Sequence, residues 1–115
     1  MNKWHVIAFI QKGAIAMIIM GSMIYPTGSA KEAAKHFTKL PPLPKDIKMI
    51  GPFVRGTIDK GIQTLTLYEV APPKLAEGMQ AIGDRYATYI GISGLTYSID
   101  VWYEAAEALA MIGMK

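Results

Sequence analysis

Apolar residues fall in runs that proline, glycine and lysine separate, and each run carries its own period. Trp4-His5-Val6-Ile7-Ala8-Phe9-Ile10 predicts a first strand over Lys3–Gln11. Alternation puts Trp4, Val6, Ala8 and Ile10 on one face and His5, Ile7 and Phe9 on the other. Lys12-Gly13 is a turn. Ala14–Ile24 then predicts a helix, with Ile15, Ile18, Ile19 and Met23 near one side and Met17 and Met20 making the rest apolar too. Tyr25-Pro26-Thr27-Gly28 breaks the run. Ser29 heads a second helix over Ala30–Leu40, and Glu32 completes a capping-box pattern.

Pro41-Pro42-Leu43-Pro44 is a stiff connector. Ile47–Arg55 predicts a strand that Gly51-Pro52 bulges, kinks or confines to an edge. Gly56 to Gly61 closes a hairpin onto Ile62–Val70, the clearest strand of the chain. In it Thr64, Thr66 and Tyr68 alternate with Leu65 and Leu67. Pro72-Pro73 opens a helix through Ile90, marked by Leu75, Met79, Ile82, Tyr86 and Tyr89. Leu95–Tyr103 predicts the last strand, and Glu104–Met114 a terminal helix rich in alanine. The order is that of a split βαβ, or ferredoxin-like, α+β domain: βαββαβ with an extra C-terminal helix and a four-stranded antiparallel sheet. One domain over residues 1–115 accounts for the whole length.

The first thirty residues support a second reading. Lys3, His5 and Lys12 precede an uncharged stretch, and Gly28-Ser29-Ala30 resembles a small-residue cleavage site. Cleavage there would give an exported protein beginning at Lys31. The capping box at Ser29, and the central strand that cleavage would remove from the sheet, favour an uncleaved, cytoplasmic chain. The strongly apolar part, Ala14 to Tyr25, is too short for a membrane span.

Composition narrows the chemistry. Apolar residues make up 51% and charged residues 18%, with a net charge of +3. Disorder is therefore excluded, and scattered lysines offer no stripe for nucleic acid. There is no cysteine, so disulfides, thiolate metal sites and a cysteine nucleophile are ruled out. His36 sits between Lys35 and Lys39 without a second ligand at metal spacing. Neither a phosphate loop nor a nucleophile elbow is present, and no metal or cofactor is called for.

The chain resembles the dimeric α+β barrel superfamily, closest to small uncharacterised bacterial or archaeal members. The likeness is carried by the Trp4–Phe9 strand, the Ile47–Val70 hairpin, the helix with Lys74-Leu75 and Tyr86, and the strand Leu95-Thr96-Tyr97-Ser98-Ile99-Asp100-Val101. It implies a homodimer whose two sheets pack face to face. Members include cofactorless monooxygenases, lactone isomerases, cyclases and haem-handling enzymes, so the fold alone selects no reaction.

Within that frame Leu65, Leu67, Val6, Ala8, Ile10, Tyr97, Ile99 and Val101 are assigned to the helix-covered face. The opposite face would carry His5, Ile7, Phe9, Thr64, Thr66, Tyr68, Ser98, Asp100 and Trp102, a polar and aromatic mixture suited to a small, partly apolar molecule. His5 oriented by Asp100 is the candidate general base, as a strand-borne histidine is in related cyclases. Thr64, Thr66, Tyr68, Ser98 and Trp102 would position a substrate, and Arg55 could hold a carboxylate. The corresponding reactions are cofactor-independent isomerisation, cyclisation or monooxygenation. A non-catalytic assembly or accessory subunit with a packed barrel is the competing function.

Overall fold

A computed structural model describes residues 16–114. Four strands, β1 (Met17–Tyr25), β2 (Lys48–Gly56), β3 (Ile62–Val70) and β4 (Thr96–Trp102), form one sheet in the order β2-β3-β1-β4. All neighbouring pairs are antiparallel. Helices α1 (Ala30–Thr38), α2 (Leu75–Ala87) and α3 (Ala105–Met111) follow β1, β3 and β4 in turn. This is a small α+β domain with the element order of the ferredoxin-like unit.

The front of the chain departs from its predicted form. The segment expected as a helix, Ala14–Ile24, contributes β1 over Met17–Tyr25 instead. A nearly unbroken apolar run has no period of its own, so its length and its turn signals must decide between helix and strand. Gly21-Ser22 at its centre is poor for a helix, whereas Ile18, Ile19, Ile24 and Tyr25 suit a pleated surface. Burial, not chemistry, alternates along it: Met17, Ile19, Gly21, Met23 and Tyr25 are buried, and the residues between them half-buried. The elements after it form where they were expected. The helix expected second becomes the first helix, α1, and βαββαβ is preserved. The strand expected over Lys3–Gln11 lies outside the described residues.

β1 is a central strand, paired with β3 from Met17↔Val70 to Tyr25↔Ile62 and with β4 from Ile18↔Trp102 to Ile24↔Thr96. β2 lies at an edge. Its register slips between Ile50 and Phe53, where Gly51 takes a φ of 103° that favours glycine and Gly51-Pro52 is cis. Both features fit the bulged edge strand expected from Gly51-Pro52.

The predicted capping box does not form. A 3₁₀ turn over Thr27–Ser29 leads into α1, and Ser29 makes no side-chain cap. Its Oγ donates instead to the Ser93 carbonyl oxygen at 2.7 Å, tying the entry of α1 to the loop before β4. α2 is likewise preceded by a 3₁₀ turn, Pro72–Lys74.

α1 and α2 cover one face of the sheet. Ile19, Met23, Tyr68, Val70, Ile82 and Tyr86 are the heart of the core between them. Gly78 lets α2 approach the sheet, since a Cβ there would meet Val70 at 3.0 Å. No described helix covers the other face. It carries Ile18, Met20 and Ile24 of β1, Leu65 and Leu67 of β3, Phe53 of β2 and Trp102 of β4, interspersed with polar residues. α3 buries no side chain. Among the described residues no helix is long and apolar enough to cross a membrane.

Candidate ligand-binding site

The helix-covered side of the sheet is incompletely filled. A cavity of about 190 Å³ lies between it and the two covering helices. Met23 and Tyr25 of β1 and Thr64, Thr66 and Tyr68 of β3 form its floor. Ala33, Ala34 and Phe37 of α1, with Arg85 and Tyr86 of α2 and Tyr89 just beyond, form its roof. Val54 and Phe37 also line it while remaining exposed, which puts the mouth between β2 and α1. The volume exceeds the roughly 150 Å³ of an engineered apolar cavity that takes up benzene.

Helical spacing explains the roof. Gly78, Ile82, Arg85 and Tyr86 are the buried residues of α2, and Tyr89 continues the stripe one turn on. The ring of Tyr86 lies over β1 where Gly21 offers no Cβ. A methyl there would overlap the phenol end and come within 3.0 Å of Cε1. Tyr68 meets Tyr86 edge-on, at 6.5 Å between ring centres, and its hydroxyl donates to Tyr86 Oη at 3.3 Å. Tyr89 lies 6.3 Å from Tyr86 and 5.3 Å from the His36 ring.

The phenols of Tyr25, Tyr68 and Tyr89 are held protonated. Burial pushes the Tyr68 hydroxyl far above the usual phenol range, and its hydrogen bond to Tyr86 adds to the effect. Burial pushes Tyr89 up to about 12 and raises Tyr25 as well. At neutral pH they are hydrogen-bonding groups, not anions.

Arg85 is the charged member of the lining and is only 9% exposed. Its Nη1 donates to the Pro41 carbonyl oxygen at the end of the α1 connection. Its Nε is buried without an acceptor. Among the described residues no carboxylate lies within ion-pair distance of it: the ion pairs are Lys48–Glu69 and Lys74–Glu77.

The residues named from sequence divide across the sheet. Thr64, Thr66 and Tyr68 line the cavity together, but on the helix-covered face, the reverse of their assignment. Leu65 and Leu67 are on the open face. The reason is the whole row: Ile62, Tyr68 and Val70 flank the threonines on one side, whereas Gln63 and Glu69 flank the leucines on the other. The face of β4 agrees with expectation. Tyr97, Ile99 and Val101 are in register with the buried β1 row, and Ser98, Asp100 and Trp102 with the open one.

Asp100 is therefore exposed opposite Met20, Ser98 faces Ser22, and Trp102 is 52% exposed beside Ile18. Arg55 shares that open face on the edge strand, where its Nε donates to Gln63 Oε1 at 2.8 Å. The sheet separates these four from the cavity. His5 lies outside the described residues.

Tyr25, Arg85, Tyr86 and Tyr89 are cavity residues that sequence reasoning did not assign to a site. For Arg85 a signal existed. It stands three residues after Ile82 and directly before Tyr86, inside the apolar stripe of α2, where a surface arginine would not fall.

Fold and site thus define a small α+β domain with a four-stranded antiparallel sheet and a pocket beneath its helices. Neither a protein-family model nor a curated protein matches the chain. Among solved structures it is similar to aminopeptidase PepT from Bacillus cereus ATCC 10987, with 12% identity and a TM-score of 0.48. That likeness covers 87% of this chain but 36% of the aminopeptidase, so the chain spans about a third of the protein it matches. It assigns no activity here.

Proposed function

We propose that the protein binds a small, partly apolar molecule in the cavity between the sheet and the helices α1 and α2. The observation that carries this reading is a mostly apolar, open-mouthed cavity into which a few polar groups converge: Thr64, Thr66, Tyr68 and Arg85. That is the usual make-up of a small-molecule site. No carboxylate or imidazole is among the described lining residues, so the reading is one of binding rather than acid–base turnover. NMR titration of the full chain with small aromatic and branched aliphatic probes tests it. Saturable shifts should gather on α1, α2 and β3, and Ala34→Leu, which fills the space from the roof, should abolish them while the fold persists. Shifts confined to the open sheet face, or none at all, would refute it.

A second reading concerns the open face. The expected homodimer through Thr64, Thr66 and Tyr68 cannot form, because α1 and α2 of the same chain cover that face. Pairing of the dimeric α+β barrel type would use the opposite face. There Phe53 is 57% and Trp102 52% exposed. In such a pair Arg55, Ser98, Asp100 and Trp102 would line the seam between two sheets. The observation favouring it is the row of apolar side chains from four strands that none of the described residues covers.

A further inference from the structure

Burying a guanidinium is costly unless an anion or a full set of acceptors compensates it. Arg85 has neither within the described chain. It uses Nη1 on a neutral backbone carbonyl and leaves Nε buried and empty-handed. No aspartate or glutamate is among the described residues that line the cavity. Residues 1–15 contain no aspartate or glutamate. Glu69 and Glu77 are engaged by Lys48 and Lys74, and Asp84, next in sequence to Arg85, accepts from Gln80 Nε2 at 2.8 Å on the exposed side of α2. The Tyr68 and Tyr89 phenols are protonated at neutral pH and cannot serve as the counter-ion.

The rest of the wall limits what the missing anion can be. Met23, Phe37, Leu40, Tyr86 and Tyr89 line the cavity together with Arg85, the one cation among the described lining residues. A strongly hydrated, multiply charged group would lose its water there with a single guanidinium to replace it. A carboxylate is planar, carries one charge and matches the guanidinium fork. A compact apolar group behind it would occupy the volume between the aromatic rings and the α1 alanines.

We infer that the cavity takes a monocarboxylate with a compact aromatic or branched aliphatic body, its carboxylate on Arg85 and its apolar end under α1. This deepens the binding reading above and rests on it. The hydroxyls of Thr64 and Thr66 lie on the same lining for the polar end of the ligand. A free acid and the end of a peptide chain both carry such a carboxylate, and the chemistry at Arg85 is the same for both.

The test compares acids with their uncharged isosteres on the full-length chain. Benzoate and isovalerate are titrated against benzamide and isovaleramide by NMR, with N-acetylvaline as a mimic of a chain end. The acids should bind at least about tenfold more tightly than the amides, as a charge-assisted hydrogen bond to a buried group requires. Arg85→Gln, checked for folding by circular dichroism, should erase that preference while amide binding persists. A preference for N-acetylvaline over the simple acids would identify a chain end as the source, and the reverse a free acid; either supports the assignment. Equal affinity of acids and amides for the unmodified protein overturns it without touching the binding reading. Absence of binding by every probe removes the binding reading itself. An acid preference that survives in Arg85→Gln would overturn the role of Arg85 and leave the arginine a tie to the Pro41 connector.

Discussion

Gly21→Ala isolates the contact on which the cavity roof depends. Gly21 sits mid-strand in β1 with an ordinary extended backbone, so added side-chain bulk, not backbone strain, decides the outcome. Restricting the unfolded chain would by itself stabilise by about 0.4–1 kcal/mol. Against this, the new methyl overlaps the phenol end of Tyr86 and lies 3.0 Å from its Cε1. Tyr86 is itself hemmed in by Tyr68, Tyr89 and Tyr97, so it cannot simply rotate away. Overpacking of this kind costs about 1–3 kcal/mol. The adjacent cavity gives the ring some room, which places the overpacking cost near the lower end and the net loss at about 0.5–1 kcal/mol. Urea unfolding followed by circular dichroism should show a lowered midpoint with an unchanged slope. Thermal midpoints should fall by about 4–8 °C for each kcal/mol. The decisive measurement repeats the substitution in Tyr86→Phe and Tyr86→Leu backgrounds. Phenylalanine removes only Oη from the overlap, whereas leucine removes the whole outer ring. The cost of Gly21→Ala should therefore fall in that order and reverse sign with leucine. An identical cost in all three backgrounds would refute the contact and the placement of α2 over β1.

Two further expectations follow from the same geometry. Folding holds the phenolic protons of Tyr25, Tyr68 and Tyr89 above the value of about 10 that they have in an unfolded chain, so the folded state keeps protons that the unfolded state releases. Stability from this source is complete below pH about 10 and is lost as pH rises beyond it, through about 12 for Tyr89; a flat urea midpoint across that window, or half-ionisation of these three tyrosines in the still-folded protein at pH about 10, would contradict it. If the open face pairs, sedimentation at micromolar concentration should give twice the monomer mass, and Trp102→Lys should return it to monomer; a native monomer with its sheet face exposed would dismiss the barrel reading.

The architecture was legible because most elements announce themselves by period and punctuation. Ile62–Val70 alternates, Pro72-Pro73 starts the α2 region, and Gly51-Pro52 marks a bulged edge. The first strand was not legible from period. Met17–Tyr25 is apolar on both sides because β1 lies between β3 and β4, with one face in the core and the other among the apolar side chains of the open sheet. A central strand of that kind reads like a buried helix until Gly21-Ser22 is given weight. The order βαββαβ survived the error because a strand and a helix were still needed before Pro41, and Met17–Tyr25 and Ala30–Thr38 supply them.

The site was harder because its polarity runs against a rule that serves well for cores. Leucines belong inside and threonines outside when a row is judged by two positions. Thr64 and Thr66 are nevertheless buried, beneath a cavity rather than beneath packed side chains. A hydroxyl there can meet a ligand where it would otherwise cost free energy against a dry helix face. The same reasoning applies to Arg85, whose burial on the cavity lining the proposed anion would account for. The three residues that break the pattern of their own elements, two threonines inward on β3 and an arginine inward on α2, converge on one cavity. Local rules fail together at that place, as they do where a fold gives up packing to make room for a ligand.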